Sequence, residues 1–330
     1  MRKATIAGMG KYLPEKVMTN KDLEKIVDTN DEWIKSRTGI EKRRIAADDV
    51  PSSELGLKAA RAALKNAELD AEDLDLILVA TVTPNMPFPA TACIIQDELG
   101  ANKAAAFDLE AGCSGFVYGL SVASQFIETG MYNNILVIGT ETLSKIVNWE
   151  DRTTCVLFGD GAGAAVLKPT ESGGILASHL GSDGSGKDAL YIPAGGSQKP
   201  TTEETVKNNE HYLVMEGNRV FKFAVKTMSK ASLKVLKQAG LKKEDIDLLI
   251  PHQANTRIID ASAKRLKLES DKVYVNLPEY GNTSGASVPI ALAEAEEKGL
   301  IKNGDIVLLV AFGAGLTWAS AVMEWNDLKG

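Results

Sequence analysis

Cysteine and histidine are scarce in this 330-residue chain, three of each. Cys93, Cys113 and Cys155 are odd in number and widely spaced, which argues against a disulfide framework and fits a reducing compartment. With no C-x-x-C pair and so few histidines, a zinc site lacks ligands, and no metal is expected. Long apolar runs are missing too: none reaches the roughly 18–20 residues that a membrane-spanning helix needs. The start, Met1 to Gly8, carries charge but no sustained apolar stretch, so it reads as a first strand and not a signal peptide. Positive charge is in deficit, 37 Lys and Arg against 44 Asp and Glu, for a net charge of −7. That argues against nucleic acid as a partner of the whole molecule, while a local basic patch can still recruit an acidic protein. The expectation is a cytoplasmic protein without a membrane span.

What the chain does contain is a copy of itself. Residues 63–78 read ALKNAELDAEDLDLIL, and residues 235–250 read VLKQAGLKKEDIDLLI. Leu64 recurs as Leu236, an offset of 236 − 64 = 172. Downstream, Ser114-Gly115 matches Ser284-Gly285 at an offset of 170, and 134–138 matches 305–309 at 171. Phe158-Gly159-Asp160-Gly161 echoes Phe312-Gly313-Ala314-Gly315. The order is kept throughout, and the period is too long for a solenoid, so a duplicated α/β unit explains it. The expected halves are 1–172 and 173–330.

Apolar periodicity predicts strands at 4–9, 76–82, 104–109, 134–140 and 162–167, then at 174–180, 246–251, 272–276, 305–311 and 318–324. Helices are predicted at 20–26, 52–67, 90–98, 114–129, 219–239, 255–266 and 284–298. Fully apolar runs such as Leu76–Val82 suit strands buried on both faces, hence sheets covered by helices. Ser182–Tyr212, rich in Gly, Pro, Thr and charge, reads as a long surface excursion.

Cys113 lies in Ala111-Gly112-Cys113-Ser114-Gly115-Phe116, between a predicted strand and a predicted helix. Most cysteines are small buried hydrophobes. A thiol at the first turn of a helix, however, faces backbone N–H groups and a dipole that favours the thiolate, as a nucleophile requires. Of the histidines, His179 reads as a satisfied core group and His211 as solvated. His252 stands where an apolar run ends, at Pro251-His252-Gln253-Ala254-Asn255, the end of a strand where α/β folds gather catalytic groups. Asn282, in Gly281-Asn282-Thr283-Ser284, falls opposite Gly112 when the repeat is drawn through Ser-Gly, so twofold symmetry would bring it near the sulfur. A turn with a helix cap explains the same residues. Two glycine-rich stretches are decoys. Gly181–Lys187 has phosphate-loop spacing, but Asp188 replaces the hydroxyl residue; Gly159–Gly163 runs on into a strand where a dinucleotide loop needs a helix.

Taken together, these segments resemble the thiolase-fold condensing enzymes, and among them the beta-ketoacyl-[acyl-carrier-protein] synthase III family. Asp31-Glu32-Trp33-Ile34, Arg37-Thr38-Gly39-Ile40, Val156 to Gly163 and Gly315-Leu316-Thr317-Trp318 extend the resemblance end to end. It implies a five-layer αβαβα core and an initiating acyltransferase that joins an acyl-CoA to malonyl-acyl carrier protein (ACP) through an acyl-Cys113 intermediate. Cys113, His252 and Asn282 would be catalytic, and the backbone N–H groups of Cys113 and Ala314 an oxyanion hole. Trp33 and Arg152 would sandwich the CoA adenine, Arg37 would meet a phosphate, and Gly217, Asn218, Phe221 and Asn255 would line the pantetheine tunnel. Phe88 would cap the acyl pocket across a homodimer. Gln253, Arg257, Lys222, Lys226 and Lys264 would receive the acidic carrier protein. No cofactor is implied, because loss of CO2 drives the reaction. A homologue of secondary metabolism that condenses other acyl groups is the alternative. Three positions depart from the family pattern. Gly112 stands where alanine is common and would loosen the backbone. Ala314 replaces a usual glycine and would be strained if its φ were positive. Gly285 stands where alanine is common and would enlarge the space near Asn282.

Overall fold

The computed structural model describes residues 2–326. Five strands form the first sheet: β1 (Lys3–Tyr12), β2 (Leu76–Ala80), β3 (Ala105–Leu109), β4 (Ile135–Thr142) and β5 (Asp160–Thr170). Four form the second: β6 (Gly174–Ser182), β7 (Leu248–Pro251), β8 (Ile306–Gly313) and β9 (Thr317–Glu324). The first sheet runs β3-β2-β4-β5-β1, and the second runs β7-β8-β9-β6. In both, the inner pair is parallel (β2 with β4, β7 with β8) and the two pairings that follow are antiparallel.

The fifth strand expected at 272–276 is absent. Val273 makes a single parallel bridge to Leu249, in the place that β3 occupies beside β2. The Gln253 side chain displaces the ladder there. Its oxygen accepts the Asn276 and Leu277 N–H groups at 3.1 and 3.2 Å, and its NH2 donates to Tyr274 O at 3.2 Å.

The helices are α1 (Asp31–Thr38), α2 (Ser52–Asn66), α3 (Thr91–Leu99), α4 (Gly115–Glu128), α5 (Gly217–Gln238), α6 (Thr256–Leu266) and α7 (Ser287–Glu297), besides shorter turns. Along β2, Leu76 and Leu78 face one core with α4, while Ile77 and Val79 face another with α2 and α3. On the second sheet, Leu309 and Ala311 join the core of α4 and α7, while Leu308 and Val310 pack on α5 and α6. The result is five layers: α2 and α3, sheet, α4 and α7, sheet, α5 and α6. Burial on both faces is why β4 has no exposed residue and why α4 is apolar nearly all round. Each fully covered Phe116, Leu120 or Ile127 on α4 is worth roughly 1.5–3 kcal/mol.

Helix α1 had not been expected, since only Ile34 and Thr38 on it are buried. Its ends are nonetheless well marked. Asn30 accepts the Trp33 N–H at 2.7 Å, and Gly39 closes the helix at φ +82°. Conversely, the helix expected over 20–26 is cut to Asn20–Leu23. The 182–212 excursion is not merely superficial. Its short strand Leu190–Tyr191 pairs with Val214–Met215 just beyond it, and Leu190 and Ile192, with the neighbouring Leu213, line the cavity beside Cys113.

Candidate active site

The nucleophile segment forms one tight turn, Gly112–Ser114, that feeds α4. Gly112 sits at φ +54°, and a Cβ there would come within 2.7 Å of the Ala314 backbone nitrogen. A Cβ on Gly313 would lie 2.4 Å from the Cys113 nitrogen. The end of β8 and the nucleophile turn therefore meet backbone to backbone. Thr317 ties them, its Oγ1 lying 2.8 Å from Ala111 O, 2.9 Å from Ala314 O and 2.7 Å from Ser114 Oγ. Two sequence expectations change. Gly112 does not loosen the backbone but fills a left-handed position in a narrow contact. Ala314 lies outside the left-handed region, so the strain expected of it is not there.

Cys113 is 8% exposed and borders a cavity of about 490 Å³ whose walls include Val82, Pro87, Leu143, Phe158, Leu190 and Leu213. Burial pushes its thiol up to about 12; the Ser284 hydroxyl opposes this, and the Glu141 carboxylate adds to it. The thiolate-favouring helix start is thus outweighed in the resting protein, because the sulfur is sealed among apolar groups.

His252 closes β7, its N–H donating to Val310 O at 2.8 Å, with its ring edge-on to Phe312 at 5.3 Å. Burial lowers its pKa to about 3, so the imidazole is neutral. Ser287 Oγ stands 2.6 Å from Nδ1 and accepts the Gln253 N–H at 3.4 Å. Where Ser287 gives its proton to Nδ1, the ring carries its own hydrogen on Nε2. His252 is then a hydrogen-bond donor rather than a base. Asn282 bridges Phe158, a wall of the Cys113 cavity, and its Oδ1 accepts the Ser284 N–H at 2.8 Å. What its side chain has left to offer is its NH2 donors.

Three supporting residues escaped the sequence reading: Ser284, Ser287 and Glu141. Ser284 was read only as part of a turn and helix cap, and Ser287 drew no reading. Glu141 carried a signal, a lone charge in the apolar run Ile135–Thr142, which burial makes costly unless it is used. Gly285 makes room for that carboxylate, since a Cβ there would lie 3.3 Å from Glu141 Oε1. The space expected near Asn282 is space for Glu141.

Comparison with known proteins shows the family. The family model for 3-oxoacyl-[acyl-carrier-protein] synthase III matches residues 107–184, and that for its C-terminal part matches 236–325. The chain is 65% identical to the beta-ketoacyl-[acyl-carrier-protein] synthase III of Caldanaerobacter subterraneus subsp. tengcongensis, covering 98% of both chains. It is 57% identical to that of Clostridioides difficile, over 98% of this chain and 99% of the relative. The solved 3-oxoacyl-[acyl-carrier-protein] synthase III of Aquifex aeolicus superposes with a TM-score of 0.91 at 48% identity, over 98% of this chain and all of the other. The chain belongs to the beta-ketoacyl-[acyl-carrier-protein] synthase III family.

The outer residues expected of a synthase III divide into three groups. Arg152 stacks on Trp33, its guanidinium carbon 5.1 Å from the ring centroid, so the two must part for a base to lie between them. Arg37 is exposed on α1, and its carbonyl accepts from Asn255 Nδ2 at 2.9 Å. Asn255 Oδ1 caps α6, so this side chain is engaged within the protein. Gly217 and Asn218 start α5, exposed, while Phe221 lies under Arg257 at 5.3 Å. Lys222 and Lys226 on α5, and Arg257 and Lys264 on α6, are exposed on two helices that pack together. Gln253 must be corrected. It is 1% exposed and braces the 274–277 backbone, so a docking protein does not reach it. Phe88 is 83% exposed, beside the cavity-lining Pro87. Among the described residues, no three His, Cys, Asp or Glu side chains are grouped to hold a metal.

Proposed function

We propose that this enzyme carries out the initiating condensation of type II fatty acid synthesis, in which acyl-CoA and malonyl-ACP give 3-ketoacyl-ACP, CoA and CO2. The observation that carries the reading is the Cys113 thiol bordering a largely apolar cavity, where an acyl thioester has room for its chain. The sulfur attacks the acyl-CoA thioester and CoA leaves as its thiol. Malonyl-ACP then loses CO2, while the Nε2–H of His252 and the NH2 of Asn282 donate to its thioester carbonyl and stabilise the enolate. The enolate carbon attacks the acyl-Cys113 carbonyl, whose oxyanion is met by the Cys113 and Ala314 N–H groups. Decarboxylation supplies the driving force, so these steps call on no cofactor.

Several finer points belong to the same proposal. Trp33, Arg37 and Arg152 meet the CoA nucleotide, and the Gly217–Phe221 helix start meets the pantetheine. Lys222, Lys226, Arg257 and Lys264 receive the acidic carrier protein. The enzyme is a homodimer, supported by the exposed Phe88 and by Phe107 on the edge strand β3. It works in the cytoplasm, in keeping with three free thiols. Its halves are 1–172 and 173–330, in keeping with two sheets that each draw their strands from one side of that boundary.

The test is condensation of malonyl-ACP with a panel of straight and branched acyl-CoA primers, with intact-mass detection of the acyl-enzyme. The expected result is 3-ketoacyl-ACP from at least one primer, and no acyl-enzyme in Cys113→Ala. No product with any primer overturns the reading. Condensation with an extender other than malonyl-ACP moves the chain to secondary metabolism.

A further inference from the structure

Strand β4 outruns its neighbour β2. The ladder between them ends with Ala80 opposite Gly139, while β4 continues to Thr142 against β5. Beyond Ala80 the chain leaves the sheet and builds one wall of the Cys113 cavity, which Thr81, Val82, Pro84 and Pro87 line. Backbone N–H groups that leave a ladder have to be met elsewhere. Glu141 lies on the stretch of β4 that β2 does not reach, and its side chain meets the departing segment. Its Oε2 accepts the Val82 N–H at 3.1 Å, the Thr83 hydroxyl at 2.7 Å and the Thr81 hydroxyl at 3.3 Å. A side chain stands in for a ladder here, as that of Gln253 does in the second half.

Three donors converging on one oxygen call for a group that only accepts. The Thr83 hydroxyl accepts the Thr142 N–H at 2.9 Å, so its own proton is free for Glu141. The Thr81 hydroxyl likewise accepts the Thr83 N–H at 3.0 Å. An ionised carboxylate serves this set on both oxygens. An amide has one oxygen, and its NH2 would face the Val82 N–H, which also lies 3.3 Å from Oε1. Burial opposes the charge and raises the Glu141 pKa to about 7, while the Thr83 and Val82 hydrogen bonds work against that rise. Glu141 is 0% exposed, so it stands behind the wall and acts on the cavity only through the residues it holds. A buried acid is costly, and bracing this segment gives it a use.

We infer that Glu141 is a positioning residue for primer choice, holding the Thr81–Thr83 wall of the acyl cavity in place. The inference rests on the proposed acyl-Cys113 chemistry and adds to it a determinant of which acyl group fits. The facing walls are held differently. Leu143, Phe158 and Leu213 belong to one buried apolar cluster, fixed by packing. The Thr81–Thr83 segment has left its sheet and depends on polar contacts, of which those to Glu141 reach all three residues. An apolar pocket with fixed walls tells two acyl groups apart by one methylene, roughly 10–200-fold. A wall that yields makes room for the group it should exclude, so discrimination falls before the chemistry does.

The test measures acyl-enzyme formation, as kcat/KM, with acyl-CoA primers of increasing straight-chain length and with branched ones. The full-length wild type, Glu141→Gln, Thr83→Val and the double variant are compared at a pH above 7, where Glu141 is ionised. In Glu141→Gln, the preference for the best primer over the next longer one is expected to fall about tenfold, chiefly because the poorer primer gains. Thr83→Val, which removes the shortest of the hydrogen bonds, should move the same ratio in the same direction. The double variant should go no further than Glu141→Gln, since both changes break one contact. A wild type that takes all primers alike, an unchanged preference in the variants, or changes that multiply in the double variant overturns the inference. So does a loss equal for every primer, which is what damage to the fold alone would give. No acyl-enzyme from any primer in the wild type overturns the nucleophile reading instead. Thr83→Val keeps the shape of the side chain and the buried acid, so it decides the matter if Glu141→Gln fails to fold.

Discussion

The two helix starts that meet at the centre of this molecule solve one backbone problem in two ways. Gly112–Ser114 leads into α4 and Ser284–Ala286 leads into α7, each through one tight turn. Each turn begins in the left-handed region, at φ +54° for Gly112 and +49° for Ser284. Each has its first N–H taken by a side chain two residues earlier, Glu110 in one and Asn282 in the other. These equivalences lie at 284 − 112 = 172 and 282 − 110 = 172, the offset of the helical repeat. The Ser-Gly match at 170 was a coincidence of residue type, and Asn282 is the counterpart of Glu110, not of Gly112. Where the first half uses glycine to make the turn, the second keeps a serine there against its conformational preference. Ser284 also lines the Cys113 cavity, where glycine would leave no hydroxyl.

The sharpest way to break the comparison is at Gly112. Two of the three departures from the family pattern, Gly112 and Ala314, touch each other, since a Cβ at 112 meets the backbone of 314. Gly112→Ala is expected to cost about 1–2 kcal/mol for the left-handed backbone alone. It is also expected to slow priming on the order of 10²-fold as the Ala314 N–H is pushed aside. Adding Ala314→Gly restores the family's arrangement, freeing the 314 backbone to move, and should recover at least half of both losses. A double-mutant cycle in urea melts and acyl-enzyme bursts measures this. Strict additivity would mean that the two positions are not coupled.

Most of the fold was legible because strands buried on both faces must be apolar, and β2, β4 and β8 are. The strand at 272–276 was misread because Val273-Tyr274-Val275 has the right alternation, while the group that replaces its ladder, Gln253, lies about 20 residues away in sequence. Cys113, His252 and Asn282 stood out by type and motif. Ser284, Ser287 and Glu141 did not, because their value lies in groups far away in sequence, as Ser287 meets His252 and Glu141 meets Thr83. The thiol's resistance to ionisation was equally invisible, since it comes from walls contributed by the 182–212 excursion and the loop after β2.

A smaller effect separates the two turns by pH. Glu141 has its pKa raised from 4.5 to about 7, so the folded state holds a proton that the unfolded chain releases. Its contribution is present below about pH 4.5 and is lost as pH rises through 7. His252, lowered to about 3, acts in the other direction, and its contribution is lost as pH falls below 6.5. Glu141→Gln leaves the histidine effect in place and removes the carboxylate effect. Relative to wild type, the variant should therefore gain on the order of 2 kcal/mol between pH 5 and pH 8 in urea melts. Parallel pH curves for the two proteins would show that Glu141 ionises no differently in the folded state.

The smallest expected change is in the stability of Ser284→Gly, and its smallness is informative. Relief of the left-handed serine returns about 1 kcal/mol. The more flexible unfolded glycine chain takes back about 0.4–1 kcal/mol. The balance lies within about 1 kcal/mol of wild type, a shift of a few degrees in Tm. Gly112→Ala, at the equivalent position, gains about 0.4–1 kcal/mol from a stiffer unfolded chain, less than it loses to the left-handed backbone and the 2.7 Å approach to Ala314. If calorimetry finds Ser284→Gly as damaging as Gly112→Ala, the serine is there to hold the turn, and the two halves differ in packing alone. If Ser284→Gly melts with wild type yet Cys113 reacts slowly, the strained serine is kept for the hydroxyl that it brings to the Cys113 cavity.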